Sequence, residues 1–235
     1  MAHEAHLKET ALLDFNHPSI QTLVKSSGWK ALSPYNRIGA SYQFVRDSIR
    51  FGYNKQDALK ASTILKEGIG QCNTKAVLLI ALLRALDIPA KIEGFEVDAS
   101  FQKELLPPLI RNLSPKTFLH SRVLVFYNST WVPLEGYILD KPYIEGIKRK
   151  FTAFEGAFYG YAIATDDFNA LSIDWRGNET YIQKDAITKS LGIFDGPDQL
   201  FAAHSQSLSK IKAFLYRQSI RHLMNRRVSS IRNSR

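Results

Sequence analysis

The spacing of hydrophobic residues changes from helical to alternating near residue 88. Before that point apolar side chains recur every three or four residues, which is typical of amphipathic helices. The clearest set consists of Ile38, Tyr42, Val45 and Ile49. Beyond it, alternation in residues 90–97, 120–127 and 130–135 predicts strands, and Asn128-Ser129 suits a tight hairpin turn. Helices followed by an antiparallel sheet indicate an α+β fold.

One predicted helix differs from the others because it is hydrophobic on every side. Residues 76–86 are apolar at every position except Arg84, and Asn73 and Thr74 precede them as candidate caps. A helix of this kind belongs in the middle of a fold. A further helical pattern covers residues 57–65, and the glycines that follow it break the periodicity just before Cys72. Cys72 is therefore expected at the start of the buried helix.

Four segments are expected along the chain. They are a helical lead-in (1–34), a core (35–140), an aromatic-rich extension that completes the same domain (141–204) and a basic helical tail (205–235). The aromatic side chains of the extension are expected to complete the core beside the sheet. The alternative is a lid over the cysteine in which Trp175 or Tyr159 contacts substrate, with Asp174 and Arg176 as specificity residues.

Composition excludes several classes of protein. The chain has 235 residues, of which 45% are hydrophobic and 23% charged, as expected for one good-sized globular domain. It has no run of 18 apolar residues and no apolar signal-peptide core, so a cytoplasmic protein without a transmembrane segment is expected. A single cysteine excludes an internal disulfide, and the six histidines lack metal-ligand spacing. Neither a metal nor a cofactor is therefore expected.

The net charge of +9 lies in the tail. Residues 205–235 contain eight Lys or Arg and no acidic residue, whereas the rest of the chain has 23 basic and 22 acidic residues. One hypothesis is a docked helix followed by a solvated end. The other is a segment that binds anionic lipid or nucleic acid, since both attract clustered basic side chains.

Cys72 is the strongest candidate for a reactive group. The start of a helix presents unpaired N–H groups and a positive dipole end, which favour a negative charge. Such a position with a cationic neighbour can lower a thiol pKa from about 8.5 to roughly 3.5–7.5. The same N–H groups could stabilise an oxyanion on an attacked carbonyl. This chemistry also needs a base and a group that orients the base.

The predicted hairpin supplies both groups. If residues 128–129 form a two-residue turn, Glu135 lies opposite Arg122 and on the same face as His120. Diagonal neighbours of this kind are about 7–8 Å apart, within reach of glutamate and histidine side chains. A register slip of one residue would place Glu135 on the other face. The register therefore decides whether the two side chains can meet.

Three blocks of sequence together resemble the transglutaminase-like superfamily. They are residues 44–51, residues 63–91 around Gly70-Gln71-Cys72, and His120 followed by Trp131-Val132-Pro133-Leu134-Glu135. The resemblance implies a papain-like fold in which a central buried helix carries the cysteine and packs on an antiparallel sheet. It also implies that Cys72 is the nucleophile, His120 the general base and Glu135 the orienting acid.

The same resemblance implies a cysteine protease, amidase or acyltransferase that acts on an amide bond of a peptide or protein. Three positions depart from the family pattern. Thr74 replaces a frequent Asp, Arg122 replaces a usual Trp, and Glu135 replaces the common Asp. Asp140 is the alternative for the third role. The alternative function is a catalytically silent binding module with the same fold, whose basic tail contacts lipid or nucleic acid.

Overall fold

The computed structural model describes residues 3–204 and 214–234. Its α-helices are α1 (Pro18–Ser26), α2 (Pro34–Gln43), α3 (Ala61–Glu67), α4 (Cys72–Ala85), α5 (Lys141–Lys150), α6 (Pro197–Ala203) and α7 (Arg221–Arg232). Its strands are β1 (Arg50–Phe51), β2 (Ile69–Gly70), β3 (Ala90–Asp98), β4 (Thr117–Tyr127), β5 (Thr130–Leu134), β6 (Phe158–Gly160), β7 (Ile163–Thr165) and β8 (Ile187–Phe194). Helices followed by an antiparallel sheet confirm the predicted α+β class.

Helix α4 is the centre of the fold, and all of its residues are buried. It begins at Cys72, one turn before the apolar run. Gln71 is the N-cap, so the cap predicted at Asn73 is wrong, but the Thr74 side chain does take part in the cap because it accepts from the Gln71 backbone N–H at 3.0 Å. The threonine hydroxyl in turn donates to the Asn54 side chain at 2.6 Å. Polar groups on the preceding loop therefore fix where α4 starts.

The main sheet has the antiparallel order β5-β4-β3-β8. Tyr127 pairs with Thr130 and Val123 with Leu134, so the predicted hairpin register is confirmed. Asn128 and Ser129 have φ angles of 46° and 62°, the pair of positive values that a two-residue hairpin turn needs. Helix α4 packs against β3 and β4, and Asn73 in its first turn is hydrogen-bonded to Leu119 and Ser121 in the first half of β4.

The extension adds β8 to the main sheet beside β3, and its small β6–β7 hairpin packs near residues 99–105. Phe158 and Phe168 stack in the core with ring centroids 4.3 Å apart. The helix predicted at residues 57–65 begins only at Ala61. The start of the predicted segment is bonded to other parts of the chain instead: the Asp57 side chain accepts from Gln71 Nε2 at 2.8 Å, and the Ala61 backbone N–H donates to the Leu12 carbonyl at 2.9 Å.

Helix α7 docks on the domain. Met224, Val228 and Ile231 are buried, and the helix packs against α5. Gly146 permits this crossing, since a Cβ there would collide with the Ile231 carbonyl oxygen. The described part of the tail therefore agrees with the docked-helix hypothesis, whereas residues 205–213 lie outside the described residues. No helix within 3–204 or 214–234 is long and apolar enough to cross a membrane.

Candidate active site

Cys72 lies at the first position of α4 with only 6% of its surface exposed. It borders a cavity of about 510 Å³, within the size range of small-molecule and peptide side-chain sites. The amides of the first helical turn have no partner four residues earlier in the helix. The sulfur therefore sits where the backbone presents N–H groups.

His120 and Glu135 meet in the core below this position. The His120 Nε2 and Glu135 Oε1 atoms are 2.7 Å apart, and both side chains are fully buried. A carboxylate can only accept, so Nε2 carries the proton and Nδ1 is left for another group. In the described residues Nδ1 has no hydrogen-bond partner, and Cys72 lies close enough to affect the charge of the imidazole. The three side chains named from the sequence are therefore neighbours in the structure.

The charges of these groups are coupled. Burial alone would lower the pKa of His120, but its interactions with Cys72 and Glu135 outweigh burial and raise the pKa to about 10. Burial alone would raise the pKa of Glu135, but His120 and two backbone N–H groups outweigh it and lower the pKa. This environment favours a charged imidazolium beside an ionised Glu135 over a neutral imidazole.

Glu135 is held by residues that the sequence analysis missed. Its Oε2 accepts hydrogen bonds from the backbone N–H groups of Ile182 at 3.1 Å and Gln183 at 3.2 Å. Its own backbone N–H donates to the Thr180 carbonyl at 3.0 Å. The extension thus fixes the carboxylate that orients His120. Backbone donors leave no signature in side-chain identity, so no sequence signal points to them.

Asn73 was also missed as a site residue. Its Nδ2 donates to the Leu119 carbonyl and its Oδ1 accepts from the Ser121 hydroxyl, both at 2.9 Å. Leu119 and Ser121 flank His120 on β4. The side-chain amide of Asn73, the residue after Cys72, is therefore hydrogen-bonded to both neighbours of His120. These bonds fix the start of α4 relative to the histidine.

Asp140 lies apart from His120. Its side chain accepts from the backbone N–H groups of Phe51 at 2.7 Å and Tyr143 at 3.1 Å, and it pairs with Arg232. These contacts cap α5 and attach α7, so they leave Asp140 without access to the imidazole. Of the two acids named from the sequence, Glu135 is the one in contact with His120.

The other candidates from the sequence lie away from the cavity. Trp175 donates to the Tyr35 carbonyl at 3.1 Å, and Tyr159 packs on Phe101, and neither side chain is part of the lining of the cavity beside Cys72. Asp174 pairs with Arg46 at 2.7 Å, and Arg176 does not line the cavity. These contacts belong to packing of the extension.

Arg122 is likewise engaged elsewhere. Its Nε donates to Glu93 at 2.8 Å, and its guanidinium lies 5.0 Å from the Phe95 ring centroid. The unusual residue two positions after His120 therefore forms an ion pair with β3 and leaves the imidazole free.

Part of the chain matches a known protein family. Residues 21–136 match the model of the transglutaminase-like superfamily. These residues form a transglutaminase-like domain. A buried helix that carries the cysteine, packed on an antiparallel sheet that carries the histidine, is the papain-like arrangement expected for it. The match ends at residue 136, so residues 180–183, which hold Glu135, and the tail lie outside the matched region.

One solved structure similar to this chain is "a Putative Cysteine Protease from Cytophaga hutchinsonii". The identity is 18% and the TM-score 0.42, over 56% of this chain and 40% of that one. This chain therefore matches less than half the length of that structure. No curated protein matches the chain significantly.

Proposed function

We propose that the protein is a cysteine-dependent hydrolase or acyltransferase that acts on an amide bond of a peptide or protein. The observation that carries the proposal is the buried His120–Glu135 pair, 2.7 Å between Nε2 and Oε1, with the other imidazole nitrogen left for Cys72. A structural cysteine has no need of a buried, charged histidine beside it. Burial of such charges costs several kcal/mol per ion unless they are paired.

In the proposed reaction the Cys72 sulfur attacks the carbonyl carbon of the amide and forms a carbon–sulfur bond. Backbone N–H groups at the start of α4, including that of Cys72, stabilise the oxyanion. The carbon–nitrogen bond breaks, and the amine leaves with the proton from His120 Nδ1. Water or a second amine then attacks the thioester carbonyl and gives a proton to His120. The carbon–sulfur bond breaks, the acid or the new amide leaves, and the thiolate–imidazolium pair is restored.

Glu135 remains ionised throughout this cycle. Its hydrogen bonds from His120 and from residues 182–183 fix the imidazole ring, so that Nδ1 faces the sulfur. Orientation of this kind is the task of the third member of a catalytic triad. Hydrolysis and transfer differ only in which nucleophile reaches the thioester.

Alkylation by iodoacetamide between pH 5 and 9 tests the proposal without knowledge of the substrate. We expect the wild-type thiol to react at pH 7, and His120→Ala to shift the reaction to the range of an ordinary thiol, near pH 8.5. His6→Ala is the matched control, because this histidine pairs with Asp195 far from the cavity. Equal profiles for wild type and His120→Ala would reject the proposal and favour the silent binding module.

We further propose that the basic face of α7 contacts a phosphate-bearing partner, either anionic lipid or nucleic acid. Lys150, Arg226 and Arg227 line a groove of about 490 Å³ whose described lining contains no acidic residue. Arg232, by contrast, is used within the domain. Clustered cations of this kind favour binding that weakens as salt increases.

A further inference from the structure

The C-terminal segment forms one side of the cavity beside Cys72. Tyr216, Arg217 and Met224, from the turn of residues 216–220 and helix α7, line the same cavity as the thiol. These residues lie beyond the region that matches the family, which ends at residue 136. The shape of this side of the cavity is therefore a property of the chain's own tail.

The segment is fixed against the loop between β1 and α3. The Asn225 side chain accepts from the Tyr53 backbone N–H at 2.7 Å and donates to the Tyr53 carbonyl at 3.1 Å. The Tyr216 hydroxyl donates to the Asn54 carbonyl at 3.1 Å. Asn54 N–H donates in turn to the side chain of Gln71, the residue before Cys72. A continuous set of hydrogen bonds thus connects the tail to the start of α4.

The interior of the cavity is largely apolar. Its aromatic and aliphatic lining includes Phe51, Tyr53, Phe118, Leu119, Tyr216 and Met224. Of the charged side chains in the described lining, Lys55 and Arg217 are exposed, whereas Asp57 is half-buried and accepts from the Gln71 side chain at 2.8 Å. A largely apolar interior with Lys55 and Arg217 at the rim suits an apolar side chain whose backbone stays near the polar edge.

We propose that Tyr216 and Met224 are specificity-determining residues that receive a bulky apolar side chain of the acyl group attacked by Cys72. The inference rests on the proposed function, since it concerns the substrate of the same thiol. Met224 is 5% exposed and has an unbranched, adaptable side chain, as suits a surface that packs against a ligand group. The tail thereby selects substrates at the site that the transglutaminase-like domain supplies.

Two electrophiles with the same reactive group test the inference on the full chain. Chloroacetamide reports the reactivity of the thiol, and N-benzyl chloroacetamide adds a bulky apolar group. The quantity measured is the ratio of their second-order rate constants for alkylation of Cys72, followed by mass spectrometry. We expect wild type to favour the benzyl compound, and Met224→Ala and Tyr216→Ala each to lower the ratio by roughly tenfold, as for lost apolar contacts in a binding pocket.

Matched variants separate specificity from stability. Val228→Ala also removes buried apolar atoms from α7 but does not line the cavity, so the ratio should stay within twofold of wild type. Tyr216→Phe keeps the ring and loses only the hydroxyl, so it should retain the wild-type ratio. If Met224→Ala fails to fold, the two Tyr216 variants still decide the question.

A ratio equal to that of wild type in both Met224→Ala and Tyr216→Ala would overturn the inference. If Met224→Ala does not fold, an unchanged ratio in Tyr216→Ala would overturn it alone. The inference would also be overturned if the ratio of rate constants for the wild-type protein were no higher than the ratio measured with free cysteine. Failure of the proposed function looks different. In that case chloroacetamide itself would react with Cys72 only at alkaline pH and independently of His120, whatever the ratio.

Discussion

The ion pair between Arg232 and Asp140 is expected to hold the C-terminal helix on the domain. The guanidinium donates to both carboxylate oxygens, with Nε–Oδ1 and Nη2–Oδ2 distances of 2.8 and 2.7 Å, and also to the Phe51 carbonyl at 2.9 Å. Asp140 is 1% exposed. Arg232→Met would keep the apolar part of the side chain and leave a buried carboxylate without its counter-charge.

Loss of one partner of a buried pair costs about 3–5 kcal/mol. Two backbone N–H groups still donate to Asp140 in the variant, so we expect a cost at the lower end of this range. We therefore expect the free energy of unfolding at pH 7 to fall by about 3 kcal/mol. At this chain length the melting temperature should fall by roughly 6–12 °C.

The loss should depend on pH. Burial opposes ionisation of Asp140, but Arg232 and the Phe51 N–H outweigh it and lower the pKa below 3.8. A lowered carboxyl pKa stabilises the fold above the unfolded value, and this contribution disappears as pH falls through the folded value. The difference between wild type and Arg232→Met should therefore narrow below pH 4.

Urea unfolding of both single variants and the double variant Arg232→Met/Asp140→Asn measures the interaction as a double-mutant cycle. The double variant should be more stable than the sum of the two single losses predicts. Arg226→Met, on the exposed side of the same helix, is the control and should change stability by under about 0.5 kcal/mol. A loss equally small for Arg232→Met would refute this reasoning.

Three further predictions concern other parts of the molecule. Asn73→Ala should lower the free energy of unfolding by about 1–3 kcal/mol, because it leaves buried polar groups on β4 unpaired, and should slow iodoacetamide alkylation of Cys72 at pH 7. Burial lowers the pKa of Lys75 to about 7 in the folded protein. Between pH 7 and 10 the unfolded chain therefore binds a proton that the folded chain does not, so the free energy of unfolding should rise with pH over this range. Urea unfolding of Lys75→Met should show a smaller rise. At low salt but not at high salt, the protein should sediment with phosphatidylglycerol vesicles or retard the electrophoretic migration of nucleic acid. The double variant Arg226→Gln/Arg227→Gln should bind more weakly by about 2 kcal/mol. Equal binding by wild type and this variant would place the contact elsewhere on the protein.

The parts of the site that follow from local patterns could be predicted from the sequence. Strand alternation and a two-residue turn set the register of β4 and β5, and that register brings Glu135 to the face of His120. An apolar run broken only by Arg84 identifies α4 as the central helix, with Cys72 at its start. These features depend on neighbours in the sequence, which is why pattern and spacing were sufficient.

The supports of the site could not be predicted in this way. Glu135 is held by backbone N–H groups 47 and 48 residues later, and Asp140 pairs with a residue 92 positions away. Backbone donors exist at almost every position, and a buried arginine looks like any other basic residue of the tail. Contacts of this kind arise from tertiary packing, so periodicity and charge counts contain no signal for them.

The protonation state of His120 tests the central claim most directly. Two-dimensional NMR of the ¹⁵N-labelled imidazole, assigned by comparison with His120→Gln, would be recorded from pH 5 to 11 for wild type and Cys72→Ala. The account predicts that both ring nitrogens of wild type stay protonated at pH 8, with a midpoint near 10, and that the midpoint falls when the thiolate is removed. A neutral His120 in wild type at pH 7, or an unchanged midpoint in Cys72→Ala, would contradict a thiolate–imidazolium pair.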